Sequence, residues 1–160
     1  MPNLKIVIQK QARTLLLYAA DRVERTCSVA LGRNWAADKA IEGDEATPVG
    51  EFYICAKNPR SKFFRSICLS YPNAEDAERG LSSGLITPDE HAEILEALCQ
   101  HRMPPQGTRL GGEIYIHGHR DDGSGSRLKD WTRGCIAVEN HFMQELYDRV
   151  SLGTPVLINA

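Results

Sequence analysis

Leu4, Ile6 and Ile8 alternate with Lys5, Val7 and Gln9 at the start of the chain, and most later apolar runs are just as short. Alternation of this kind places one set of side chains on each face of an extended strand, because successive Cβ atoms point to opposite sides. Leu15–Tyr18 and Cys27–Leu31 read as further strands, and Phe52–Ala56 and Phe63–Leu69 are rich in the aromatic and β-branched residues that strands favour. Ile114 and Ile116 alternate with Glu113, Tyr115 and His117, and Pro155–Asn159 reads as a closing strand. Turn signals punctuate these runs at Gly43-Asp44, Thr47-Pro48-Val49-Gly50, Asn58-Pro59, Tyr71-Pro72-Asn73 and Gly111-Gly112. The expected fold is mainly β, one domain over residues 1–160, a sandwich or open barrel.

Two segments break the pattern. In the stretch TPDEHAEILEALCQ, Thr87 is placed to cap a helix, Pro88 suits its first position and Glu90 completes a capping box. Ile94, Leu95, Leu98 and Cys99 form its apolar stripe, and the whole region near 75–101 reads as a helical insertion. A second helix is expected from about Asn140 to Val150. Asn140 stands as its cap, Met143, Leu146, Tyr147 and Val150 share a face, and Gly153 lies past its end.

The chain has 160 residues, enough for one sizeable core. Its net charge of -2 and its scattered basic residues give no nucleic-acid surface. No apolar run approaches the roughly 18 residues of a membrane span. Lys5, Lys10 and Arg13 interrupt the N-terminal apolar runs, so no signal peptide is visible. Cys27, Cys55, Cys68 and Cys99 read as small buried hydrophobes; no CxxC spacing points to zinc, and a disulfide framework is not expected.

The fifth cysteine differs. Cys135 follows Thr132-Arg133-Gly134, and His117 precedes it by 18 positions at the end of an alternating run. Gly118 permits a sharp exit from that strand, so the His117 ring can face a cleft opposite the core. Gly134 lets the backbone turn tightly before the sulfur, and Arg133 offers positive charge that would lower the thiol pKa. The N–H groups of Gly134 and Cys135 are candidates for an oxyanion hole. A thiol beside an imidazole is the minimal activated nucleophile for acyl transfer. Spacing alone leaves a purely structural role open for both residues.

His117, 14 intervening residues, then Thr132-Arg133-Gly134-Cys135 resembles the signature of the YkuD-type L,D-transpeptidases: a His, a spacer, Ser or Thr, His, Gly and Cys. Lys39, Gly43-Asp44, Thr47-Pro48-Val49-Gly50-Glu51-Phe52, Gly107-Thr108 and Ile116-His117-Gly118 match the family in the same order, so the likeness runs from about Leu4 to Ile158. Asp130-Trp131-Thr132-Arg133-Gly134-Cys135 resembles the YafK-like members in particular.

The resemblance implies a β-sandwich of mixed sheets with a helix after the nucleophile. It implies acyl transfer on peptidoglycan stem peptides, as donor and acceptor, in bacterial cell-wall assembly and cell shape. Cys135 would carry the acyl group after loss of a terminal D-alanine, His117 would move the protons, and the carbonyl of Gly118 would orient the imidazole. No cofactor or metal is required. Water as acceptor would make the same site a hydrolase, and a wall-binding module without catalysis is the third alternative. The family works outside the cytoplasmic membrane, so a periplasmic or cell-wall location is implied, while the missing signal peptide leaves a cytoplasmic one open.

Two departures stand out. Arg133 replaces the usual His, leaving His117 as sole base because a guanidinium does not deprotonate. Ala137 stands where the family often has Arg or Asn, and Arg133 is the candidate to meet a substrate carboxylate in its place. Thr132 and Tyr115 join Gly134 as candidate substrate contacts, with Tyr115 alternatively a sheet-packing residue. Trp131 is expected to anchor its loop rather than stack on substrate. His119 with Asp121 and Asp122 is a weaker metal candidate, His119 otherwise being a loop residue, and the run from Asp121 to Ser126 is expected to border the site. Lys39 and Asp44 fall in a family motif without an assigned contact.

Overall fold

The computed structural model describes residues 3–119 and 129–160. Its strands are β1 (Leu4–Gln9), β2 (Thr14–Ala19), β3 (Arg22–Ser28), β4 (Gly50–Ser61), β5 (Phe64–Leu69), β6 (Tyr115–His117), β7 (Ile136–Ala137) and β8 (Pro155–Asn159). Its helices are α1 (Ala74–Ser82), α2 (Pro88–Cys99) and α3 (Asn140–Arg149). The strands follow the order β3-β2-β1-β8-β4-β5-β6-β7. The β1–β8 and β6–β7 pairs are parallel and the others antiparallel, so the sheet is mixed as expected.

The sheet curls because β4 belongs to both of its halves. Gly50–Tyr53 pair with β8, whereas Ile54 onward pairs with β5 after a register shift between Ile54 and Ala56. An extra residue on one strand bends it and sharpens its twist. The curl brings the ends of the strand order together, and Ala30, just beyond β3, bridges Ala137 of β7. Inside lie Ile6, Ile8, Leu15, Leu17, Ile54, Ile67, Leu69, Ile116, Ile136 and Ile158, all fully buried, with Phe142, Met143 and Leu146 of α3 closing the core.

The helical insertion is a hairpin with a small core of its own, built from Ala77, Ile86, Ile94 and Leu110. Thr87 and Glu90 form the expected capping box. The insertion also holds α1, which periodicity did not isolate; Asn73 and Asp76 cap it in the same way. The buried face of α2 is narrower than expected, Ile94 and Ala97, and Cys99 is exposed, not buried. A helix that packs against one short partner has little surface to hide. Cys27 and Cys55 are half-buried, and Cys68 alone of the four is buried.

Other boundaries also differ. The strand expected at Cys27–Leu31 begins at Arg22, and its polar residues escaped notice because β3 is exposed over most of its length. Asn58-Pro59 is not a turn but lies within β4, next to a register irregularity, where a residue lacking an N–H is tolerated. The hairpin turn comes later, between Ser61 and its partner Phe64, so Phe63 sits in the turn. Asn140 does not cap α3; Glu139 holds that position without a side-chain capping bond to the helix. Gly153 lies in the turn before β8 rather than at the helix end, which is Arg149.

Tyr71 links the insertion to the body: it is fully buried and its hydroxyl donates to the Leu110 carbonyl at 2.7 Å. Tyr71→Phe keeps the ring but leaves that carbonyl without its donor. The expected cost is about 1–3 kcal/mol, seen as a lower urea midpoint with an unchanged slope.

Candidate active site

The register of β5, β6 and β7 builds the site. Ile116 pairs with Ile136 inside the core, and one residue further His117 pairs with Ala137. Tyr115 and His117, two apart on β6, take the face opposite Ile116. Cys135 enters β7 one residue before Ile136, and its sulfur meets the start of β6. The Tyr115 N–H donates to Sγ at 3.4 Å, and the thiol donates to the Glu113 carbonyl at 3.3 Å. The thiol and the imidazole are thus carried at the two ends of one three-residue strand. Among the described residues no hydrogen bond joins them.

The loop before Cys135 is fixed from three directions. Thr132 is buried; its hydroxyl donates to the Cys135 carbonyl at 2.7 Å and accepts the Gly134 N–H at 3.1 Å. The Thr47 hydroxyl donates to the Gly134 carbonyl at 2.9 Å and accepts the Gly32 N–H at 3.0 Å. Asp130 takes Arg13 Nε and Nη2 at 3.1 and 2.8 Å and the Leu31 N–H at 3.0 Å. Gly134 has φ +130°, and a Cβ there would stand 2.7 Å from the Ala46 carbonyl oxygen, so only glycine fits.

These bonds bear on two expectations. The Gly134 N–H donates to Thr132 Oγ1, whereas the Cys135 N–H has no partner among the described residues. Thr132 shapes the loop from a buried position. Asp130 thus ties this loop to the turn before β2 through Arg13. Thr47 escaped notice because its sequence context, Thr-Pro-Val-Gly, advertises only a turn. Lys39 and Asp44 pair with each other at 3.0 Å, and the Asp44 carboxylate also accepts the N–H groups of Ala40, Ile41 and Ala46.

His117 is 3% exposed. Its Nδ1 lies 2.7 Å from the Gly118 carbonyl. A carbonyl only accepts, so Nδ1 carries the hydrogen and Nε2 keeps the lone pair. Phe63 stacks on the ring with centroids 4.5 Å apart and planes 20° apart, and Trp131 leans on it at 5.7 Å. Burial pushes the imidazole down to about 4; the Gly118 bond opposes this, and His119 and Lys62 add to it. Gly118 has no room for a Cβ, which would meet Asn140 Oδ1 at 2.3 Å. That same oxygen accepts the His119 N–H at 2.7 Å. Trp131 packs against Phe63, His117 and His119, an anchor for its loop, with its Nε1 buried and unbonded among the described residues.

Burial pushes the Cys135 thiol up to about 11; the Tyr115 N–H, Lys39 and Lys62 pull against this, and Glu113 adds to it. Arg133 is not among these charges. Its side chain is exposed and makes no ion pair or hydrogen bond among the described residues. Tyr115 is half-buried, its phenol raised to about 12 mainly by burial. No cluster of three or more potential metal ligands is found among the described residues. Asp121, Asp122 and the run to Ser126 lie outside them.

The YkuD family model, an L,D-transpeptidase catalytic domain, matches residues 3–158. No curated protein sequence matches. Among solved structures, a single-site mutant of the helical cell shape determining protein Pgp2 from Campylobacter jejuni superposes with a TM-score of 0.70 at 25% identity, over 99% of this chain and 47% of that one. Bd1075 from Bdellovibrio bacteriovorus gives a TM-score of 0.63 at 21% identity, over 99% and 48%. An L,D-transpeptidase from Mycobacterium smegmatis gives 0.59 at 15%, over 99% and 59%, a likeness of fold. The chain spans about half the length of the first two of these proteins.

Two outcomes follow from the geometry. Thr47→Val orphans the buried Gly134 carbonyl and Gly32 N–H together; it is expected to cost on the order of 2–5 kcal/mol in urea unfolding and to alter the alkylation rate of Cys135. His117 has a folded pKa below its unfolded one, so the unfolded state binds the extra proton. Stability should therefore fall as pH drops from about 6.5 toward about 4. Between pH 7 and pH 5, wild type should lose on the order of 1–2 kcal/mol more than His117→Asn, measured by denaturant unfolding at both values.

Proposed function

Because the chain belongs to the YkuD family of L,D-transpeptidase catalytic domains, we propose that it performs acyl transfer on peptidoglycan stem peptides through a thioester on Cys135. The observation that carries this reading is the His117 tautomer: Nδ1–H is held by the Gly118 carbonyl, which leaves Nε2 as a base beside the strand that meets the thiol. In this reading Cys135 Sγ attacks the carbonyl of the L-centre of the diamino acid in a tetrapeptide stem. His117 Nε2 takes the thiol proton and returns it to the departing amine of D-alanine. The Cys135 N–H faces the developing oxyanion. An acceptor amine then attacks the thioester, giving its proton to His117 and restoring the thiol.

The thiol at about 11 and the imidazole at about 4 make a preformed thiolate–imidazolium pair unfavourable. Proton transfer must then accompany S–C bond formation. The thiol must also turn from the Glu113 carbonyl toward the imidazole when a donor seats. Tyr115 forms part of the cleft wall, Thr132 and Gly134 hold the loop that presents Cys135, and Arg133 meets the stem peptide at the rim. The substrate places the reaction on the cell-wall side of the membrane, and the likeness to a cell shape determining protein supports a part in bacterial cell shape.

The test is the intact mass after mixing with a tetrapeptide-stem muropeptide. Wild type is expected to gain the stem less its terminal D-alanine. Cys135→Ala should gain nothing, and His117→Ala should acylate at least about a hundredfold more slowly. Added amines then separate transfer from hydrolysis by the product released. A muropeptide left unchanged, with no adduct, would overturn the reading.

A further inference from the structure

We propose that Lys62 is the seat for a free carboxylate of the donor and so a specificity-determining residue of this cleft, an inference that rests on the stem-peptide reading above. Lys62 and Phe63 form the turn between β4 and β5. Phe63 stacks on the His117 ring at 4.5 Å, and Lys62 Nζ stands 5.4 Å from the Phe63 centroid. The turn therefore carries an ammonium to the His117 end of the site. The side chain is exposed and has no ion pair or hydrogen bond among the described residues.

Several other cations are committed to partners. Arg13 is held by Asp130, Lys39 by Asp44, Lys10 by the carbonyls of Ala37 and Thr47, and Arg65 by Gln144. The Lys62 charge reaches both the thiol and the imidazole and lowers the pKa of each. Glu113 supplies the opposing negative charge at the other end of β6, where it raises the pKa of Tyr115 and Cys135. A carboxylate is thus attracted to the Lys62 side and repelled from the Glu113 side. Its arrival would also offset the Lys62 charge that disfavours protonation of His117. Substrate binding and base strength would then rise together.

Alkylation of Cys135 by iodoacetate and by iodoacetamide tests the seat without any stem peptide. The two reagents meet the same sulfur, so their rate ratio cancels any change in thiol pKa. With adducts at Cys135 located by peptide mass mapping, Lys62→Met is expected to lower the iodoacetate-to-iodoacetamide ratio about threefold to tenfold. Lys62→Arg should keep it, Arg133→Met should leave it within about twofold, and added salt should lower it in wild type. An unchanged ratio in Lys62→Met, or a collapse in Arg133→Met instead, would overturn the proposal.

Tetrapeptide stems amidated either at the terminal carboxylate or at the distal carboxylate of the diamino acid then identify the group. Lys62→Met should raise KM for the unmodified stem on the order of tenfold, and the amide that abolishes this difference marks the carboxylate bound. A defect that survives both amides would count against the seat. If no stem acylates wild type, the stem-peptide reading fails, while the iodoacetate ratio still decides the role of Lys62.

Discussion

One hydroxyl group holds three loops of this protein in register. Thr47 Oγ1 donates to the Gly134 carbonyl and accepts the Gly32 N–H. It joins the segment after β3, the segment before β4 and the loop that ends at Cys135. The approach is so close that side chains are excluded: a Cβ on Gly32 would lie 2.2 Å from the Glu45 carbonyl oxygen. The bridge from Ala30 to Ala137 closes the curled sheet at the same place. Around Cys135 the backbone positions are set by buried bonds, an arrangement that tolerates little displacement.

This accounts for what the sequence displayed and what it concealed. Strand alternation exposed the core faces, since Ile6, Ile8, Ile116 and Ile158 obey a period of two that requires no knowledge of partners. Capping at Thr87 was legible for the same reason: the bonds are local. His117 and Cys135 were singled out by the glycines beside them and the family signature, and the fold carries them at the two ends of β6. The Thr47–Gly134 bond spans 87 residues and the Arg13–Asp130 pair 117, and no local pattern announces either. Arg133 is the complementary case: its proximity to Cys135 in sequence suggests an electrostatic role, while in the fold its side chain is exposed. Phe63 was assigned to a strand, and its place in the turn is what lets it back the imidazole.

The electrostatics of the site follow from burial more than from charge. The imidazole is enclosed by Phe63 and Trp131 and bonded to the Gly118 carbonyl, so it is oriented without being made more basic by a carboxylate partner. A carboxylate in that position would favour imidazolium and a stored thiolate. A backbone carbonyl carries only a partial charge, and the ring stays neutral. The thiol is likewise kept protonated by desolvation. Neither group is ionised at rest, which protects a half-buried cysteine from oxidation and alkylation, since the thiolate is the reactive form.

The same arrangement sets the order of events that any acyl transfer here must follow. At rest the thiol proton is directed to the Glu113 carbonyl, and the sulfur accepts the Tyr115 N–H. Both partners are main-chain groups at the start of β6, while the imidazole stands at its end. A donor peptide lying along β6 would compete for these backbone groups, releasing the thiol as it binds. Activation would then depend on occupancy of the cleft, because the group that displaces the Glu113 contact also delivers the carbonyl to be attacked. Such coupling needs no lid and no conformational change beyond a side-chain rotation. It places the control of reactivity in the short strand that carries the imidazole and receives the thiol.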